Sequence, residues 1–474
     1  MPRMNTNNQR LSSLLRWVSI AAVALAAILV GRIPYTGIRD SFTDDPALTP
    51  QAEALLTAPE NPYPDSDNLY LALVGFDAPE GETPLSAARQ RIARAREIDE
   101  LGWRDPKAAS LANLEEDRRQ VFLGDTLCEA PDPSLWRDSV PHQIEFARLR
   151  VDNAELFGRY LSLHELSGFF ASGPRTRGMA EMAGTLRKVR CLYLADLVIR
   201  LRRGGPTVRR AALEALAQDA QVWRRVLHGE GTSLTARIGE TNLAIDYQLL
   251  VDILSDTTVP AAVFRDAANA VEPLLMFDDW NVPSFQEQFR KAVVALQRIK
   301  TARAAARQPT RLFSSPLEWL RSFNRDLTTG AVKLTASQNL ISKLSDQLTQ
   351  IGAPNPQNLR ALESYGKNLP EEQRNPFYLQ HIKGVLFPDE QQVRRELHII
   401  WDLAAFQRLL HLGYEIRRQQ LDADAIPALL RAHPEWATHP ADGRPFLWKA
   451  QSGELCARRI GEERCGWSLT FPAR

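Results

Sequence analysis

From Leu85 to about residue 430, apolar residues recur every three or four positions, and nowhere in that stretch do apolar and polar residues alternate over a strand's length. That period suits amphipathic helices and excludes a sheet-based body. "SAARQRIARAREIDEL" sets Ile92, Ala95 and Ile98 on one stripe opposite arginines. "QIEFARLRVDNAELFGRYLSLHEL" aligns Ile144, Ala147, Val151, Ala154 and Leu161, which predicts a buried face there. "TVRRAALEALAQDAQVWRRVLHGEG" follows Pro206 and stops at glycines, the ordinary punctuation of a helix. "SLTARIGETNLAIDYQLLVDIL", "FQEQFRKAVVALQRIKTARAAAR" and "EQQVRRELHIIWDLAAFQRLLHLGYEIRRQQ" continue the pattern. No fixed repeat period marks a solenoid. Residues 309–376, richer in Gly, Pro, Asn and Gln, suit a helical hairpin or a hinge.

Ahead of the helical region stands "RWVSIAAVALAAILVGRIPY". Trp17 to Gly31 carries no charge, and Arg3, Arg10 and Arg16 precede it without an acidic residue. Three readings suit the run. As an anchor, Trp17 to Tyr35 reaches about 28 Å at about 1.5 Å per residue. Trp17 and Tyr35 then mark the interfaces, and Arg32 snorkels to the headgroups. As a signal peptide, "ALA" at Ala24 to Ala26 supplies small residues for cleavage. As a buried soluble helix, the run would simply join the core. The anchor is favoured because "AILV" continues past the cleavage position. The arginines before the span favour a cytoplasmic N-terminus, with Arg32 and Arg39 weakening the contrast.

Export changes the reading of the four cysteines, because an oxidising compartment favours disulfides. Cys456 and Cys465 have no histidine nearby to complete a zinc site; the nearest is His439. "ARRIGEER" between them reads as two strands joined at "IG", which would bring the two cysteines opposite each other. Cys128 then pairs with Cys191 by elimination, the alternative being two buried thiols in helices.

The segment 37–84 reads as a Pro- and Asp-rich spacer with a short helix near Pro50 to Leu56, followed by "NLYLALVGF" as the first packed element. After residue 434 the helical period stops, and "PFLWK", "LCARRI" and "CGWSLTF" lie between the turn signals "ADG", "QSGE" and "IGEE". That is the pattern of a small antiparallel meander. The expected organisation is therefore mainly α. A cytoplasmic tip and anchor cover 1–36, the spacer and first packed segment 37–84, a multi-helix ectodomain 85–434 and a small β unit 435–474.

"HPADGRPFLWKAQSGEL", together with the N-terminal apolar run and "NLYLALVGFDAPEG", resembles uncharacterised single-anchor envelope proteins of Gram-negative bacteria. The likeness is confined to these stretches and includes no catalytic residue. It implies a location, an inner membrane crossed once with the bulk in the periplasm, and no activity.

Chemistry is sparse. The 58 basic and 57 acidic residues leave a net charge of +1, which argues against a nucleic-acid partner. "RLRRGGPTVRR" reads as solvated helix ends around a turn. No Gly-rich phosphate loop is present. "GTSLTARIG" lacks the second glycine of a nucleophile elbow, and Ser233 reads as a helix cap. "LHELSGF" places His164 beside Glu165 without the second histidine of a zinc protease. His398 and His411 fall on one helix but not on one face. "FDDW" reads as a solvated turn, and Asp389 in "FPDEQQ" as a helix cap. No catalytic, cofactor or metal residue is assigned. The expected function is a non-catalytic binding or assembly factor with an envelope protein partner. The alternatives are an envelope hydrolase with a scattered site and a periplasmic immunity or inhibitor protein.

Overall fold

The computed structural model describes residues 47–57, 59–101, 119–124, 126–128, 135–171, 178–276, 289–298, 334–365 and 390–471, with single residues 107, 111, 280 and 301. The protein is mainly helical, with one small sheet near the C-terminus. The proposed anchor residues Trp17, Gly31, Arg32 and Tyr35 lie outside the described residues, as do Asp278, Asp279 and Asp389. Among the described residues no helix is long and apolar enough to cross a membrane.

The chain divides into two units. The smaller takes residues 1–58, 289–346 and 366–389. Its described part contains α1 (Pro50–Leu56), a helical stretch at 289–298 and most of α12 (Leu334–Ile351). Thr49 caps α1 by accepting from the Ala52 N–H, and Pro50 supplies the first helical position. Asn339 of α12 accepts from Thr49 N at 2.8 Å and donates to Ala47 O at 2.8 Å. Gln338 donates to Val293 O, and Phe289, Val293, Leu296, Ile341 and Leu344 are buried.

The larger unit takes residues 59–288, 347–365 and 390–474. Its helices are α2 (Leu69–Val74), α3 (Pro84–Leu101), α4 (Leu135–Asp138), α5 (Gln143–Asp152), α6 (Ala154–Ser162), α7 (Gly178–Arg203), α8 (Pro206–His228), α9 (Ser233–Ser255), α10 (Ala261–Asp266), α11 (Ala268–Leu275), α13 (Pro356–Glu363), α14 (Glu390–Gln419) and α15 (Ile426–Ala432). α8 starts at Pro206 and ends on Gly229, as its sequence punctuation requires. The cap of α9 is Thr232 rather than Ser233: Thr232 and Thr235 bond reciprocally to each other's backbone N–H, a capping box that makes Ser233 the first helical residue. "NLYLALVGF" folds as α2, a helix turn with Leu69, Tyr70, Leu73, Val74 and Phe76 buried.

α8 packs on α7 and α9, and α14 packs on α9, α10 and α11. Trp223, Tyr247, Phe264, Phe406 and Tyr414 fill the space between them. Gly239 is the close-approach point of α8 and α9. A Cβ there would lie 2.7 Å from Leu227 N and 3.0 Å from Trp223 O, so only glycine lets the two backbones meet.

β1 (Leu447–Lys449), β2 (Glu454–Arg458) and β3 (Cys465–Thr470) form an antiparallel meander in the order β1-β2-β3. So small a sheet has little core of its own, and it sits on α9 and α14. Trp467 stacks on Phe406 at 4.8 Å, and Leu469 fills the space beside Gly413, where a Cβ would come within 2.4 Å of its Cδ1. His439 fastens the approach to the sheet. Its Nδ1 accepts from Ala441 N, so Nε2 is the donor to Asp402 at 3.1 Å, and Asp402 also accepts from Ile460 N at 2.8 Å.

The expected burial of Ile144, Ala147, Val151, Ala154 and Leu161 is reversed: all five face outward. Phe146, Leu149, Leu156, Phe157, Tyr160 and Leu163 turn inward instead. Both faces satisfy a helical period, and the aromatic-rich face removes more apolar area from water.

Gly239→Val should lower the stability of this unit by about 1–3 kcal/mol, because α8 and α9 must separate to admit the side chain. Urea unfolding followed by tryptophan fluorescence measures it. An unchanged midpoint would mean the helices do not meet at Gly239.

Candidate functional site

Three consecutive helices contribute a charge to one buried cluster. α7 contributes Arg190, α8 Asp219 and α9 Asp246, and all three are buried. Tyr160 of α6 and His164, on the 3-10 turn Leu163–Glu165, complete the cluster. Buried charges are tolerated only when paired and hydrogen-bonded, and here the pairing is dense. Asp219 Oδ1 accepts from the Tyr160 hydroxyl at 2.6 Å and contacts His164 Nε2 at 3.1 Å. Asp219 Oδ2 accepts from Arg190 Nε at 3.2 Å and from Trp223 Nε1 at 3.2 Å. Arg190 Nη2 donates to Asp246 Oδ1 and to Asn242 O. The guanidinium also lies over the Trp223 ring, 5.4 Å from its centroid.

The two carboxyls diverge. Burial opposes charge on both. At Asp219, Arg190, His164 and the Tyr160 hydroxyl outweigh burial and hold the pKa below the usual range. At Asp246 burial dominates, Arg190 works against it, and the neighbouring Asp219 charge adds to the rise, so its pKa stands well above the usual range. Asp246 Oδ2 has no hydrogen-bond partner. It borders a small cavity of about 10 Å³ lined also by Leu213, Leu216, Tyr247, Leu250, Val271 and Leu274. One guanidinium thus faces two carboxyl groups whose pKa values are pushed in opposite directions. Burial and the Asp219 charge also raise the Tyr160 and Tyr193 hydroxyls, which keep their protons.

Only the His164 edge of the cluster reaches the surface, its side chain 12% exposed. Its ring packs against Tyr160 and Tyr193 at 5.8 and 5.3 Å. Asp219 takes four donors, one for each lone-pair site of a carboxylate, so it has none left to activate a water or a hydroxyl. What the arrangement can do chemically is hold α6, α7, α8 and α9 in register.

The remaining sequence candidates fall elsewhere. Cys128 joins Cys191 of α7 with Cα atoms 5.8 Å apart, and Cys456 joins Cys465 at 5.7 Å. The terminal pair is not directly opposed. Cys456 faces Ser468 and Cys465 faces Arg458, with a register shift at Ala457/Arg458, so the bond runs diagonally along one sheet face. The bulge residue, which the "IG" turn alone does not predict, displaces the pairing. His398 and His411 share α14 without meeting, and burial lowers the pKa of each. Among the described residues no group of three or more His, Cys, Asp or Glu side chains could hold a metal ion. Sequence reasoning reached His164 but missed Arg190, Asp219 and Asp246. The available signal was a lone charge on the apolar side of each of three successive helices, such as Asp219 between Leu216 and Trp223.

No family model, no curated protein and no solved structure matches this chain.

Asp219→Asn should destabilise the protein by about 3–5 kcal/mol, because it leaves Arg190 buried without its carboxylate. Asp246→Asn, which removes a carboxyl whose charge burial opposes, should cost far less. The pH dependence separates them. Both carboxyls titrate near about 4 when unfolded. Asp219, with its pKa depressed, contributes stability above that value that is lost as the pH falls through its folded pKa. Asp246, with its pKa raised, makes stability decline as the pH climbs from about 4 toward its folded pKa, and Asp246→Asn should flatten that decline. Thermal midpoints across pH measure both, and equal losses for the two variants at neutral pH would refute the division of roles.

Proposed function

We propose that this chain is a non-catalytic binding or assembly factor of the cell envelope, held to the inner membrane by Trp17–Gly31 with its bulk in the periplasm. The observation that carries the reading is that all four cysteines meet in pairs, one pair across 63 residues of sequence and the other across 9. Disulfides form and persist in oxidising compartments and are rare in reducing ones. Binding is favoured over catalysis by the disposition of polar groups. The Arg190–Asp219–Asp246 cluster is turned inward, with Asp219 bonded within it, whereas apolar side chains at Val121, Leu123, Ile144 and Val151 are turned outward.

A reporter enzyme active only after export, fused after Arg474, is expected to be active, and deletion of Trp17 to Gly31 should abolish that activity. A fusion active only with a cytoplasm-dependent reporter would overturn the placement. Mass mapping of the native protein should recover the Cys128–Cys191 and Cys456–Cys465 peptides as disulfides. Cys456→Ser with Cys465→Ser should make the β unit protease-sensitive while the helices persist, since the entropy of so short a loop corresponds to about 2–3 kcal/mol.

A further inference from the structure

The two disulfides differ in how far solvent reaches them. Cys128 and Cys191 are both buried, 1% and 7% exposed. Of the terminal pair, Cys456 is fully buried, whereas Cys465 is half-buried at the start of β3. A cation also stands at that outer sulfur. Lys449 of β1 sets its Nζ 3.4 Å from Cys465 Sγ, and the contact lies at the surface. Glu454, which faces Lys449 across β1 and β2, accepts from the same Nζ at 2.7 Å and so aims it. Arg458, which faces Cys465 in register, pairs with Glu463 at 3.6 Å, and Arg464 precedes Cys465 in the chain. Lys449, Arg458 and Arg464 thus stand against Glu454 and Glu463 around a sulfur open to attack. A neighbouring ammonium favours the thiolate form of a cysteine, and accessibility with thiolate stabilisation is what separates an exchangeable sulfur from an inert one.

We propose that Cys465 is a thiol–disulfide exchange site, the sulfur through which a dithiol opens the Cys456–Cys465 bond and through which the bond closes again. In the opening direction one thiolate of the dithiol attacks Cys465 Sγ. The Cys456–Cys465 bond breaks, its electron pair leaves on Cys456 Sγ, and that thiolate takes a proton from water. The second thiol of the dithiol gives up its proton and attacks its own neighbouring sulfur in the mixed disulfide. That step expels the Cys465 thiolate, which the Lys449 ammonium receives. Two electrons pass to the chain, whose disulfide becomes two thiols, and the dithiol becomes a disulfide. Closure reverses the sequence, so it begins with the Cys465 thiolate. Cys456, with no exposed surface, offers an incoming thiolate no approach. Lys449 is a positioning residue: it bonds to no reactant and acts through the charge on Cys465. Opening frees the loop of residues 457–464 and passes the β unit to its protease-sensitive form, while the buried Cys128–Cys191 bond stays closed. The exchange does not depend on where the chain resides.

The test uses the purified full-length chain with both disulfides formed. Limited dithiothreitol followed by alkylation and peptide mass mapping should label Cys456 and Cys465 before Cys128 and Cys191. Reduced glutathione should leave its adduct on Cys465 and not on Cys456. Cys456→Ser, which leaves Cys465 free, should be modified by oxidised glutathione at least about tenfold faster than Cys465→Ser, which leaves Cys456 free. Lys449→Met added to Cys456→Ser should slow that reaction several-fold near neutral pH and move its pH profile upward, and Lys449→Arg should restore both. Earlier opening of Cys128–Cys191, a glutathione adduct on Cys456, or equal rates for the two serine variants would each overturn the exchange site. An unmoved pH profile would overturn the role of Lys449.

Discussion

Arg190 sits where three helices converge, and the larger unit is organised around its charge. A guanidinium withdrawn from water must be answered by a carboxylate at hydrogen-bonding distance, and Asp219 answers it from α8. Asp219 in turn gathers Tyr160, His164 and Trp223. Each of these bonds fixes the rotation of a helix about its own axis, which apolar packing alone does only loosely. Such a network specifies more than it stabilises: removing one partner is costly, whereas an apolar replacement of the whole set can be neutral. Asp246 completes the cluster at a cost: burial and the neighbouring Asp219 charge push its pKa up, because one guanidinium cannot fully compensate two buried carboxylates.

With α7, α8 and α9 fixed, the other elements are placed by contact with them. Gly239 brings α9 against α8, and the Cys128–Cys191 bond ties the turn at Thr126–Cys128 to α7. α14 then lies across α9 and offers Phe406, Asp402 and Gly413 to the C-terminal meander. Three short strands could not persist alone. The stacked Trp467, the Asp402 bonds to His439 and Ile460, and the diagonal Cys456–Cys465 bond each supply an anchor the sheet lacks. The sheet therefore belongs to the same unit as the helices and not to a domain of its own.

α5 and α6, separated at Asn153, each divide their apolar residues between an inward and an outward face. Phe146, Leu149, Leu156, Phe157 and Tyr160 are spent on the core, and Ile144, Val151 and Leu161 are left outside.

Much of the fold was legible in local chemistry. The helical period, the Pro206 and Gly229 boundaries of α8, the three strands and the membership of the cysteine pairs all follow from near-neighbour constraints that a linear sequence displays. Which face of α5 turns inward did not, because both faces satisfy the same period and only the competition for buried area decides. The register of Cys456 and Cys465 did not, because a bulge is set by how β3 docks on α14. Nor did the Arg190–Asp219–Asp246 cluster, whose members stand far apart in the chain. Each looks like an ordinary helix-surface charge until three helices pack together. The sequence by itself determined that helices would form, where they stop and which cysteines are available to pair. Tertiary structure alone decided which charges are buried, because burial is a property of the assembled helices and of no single one.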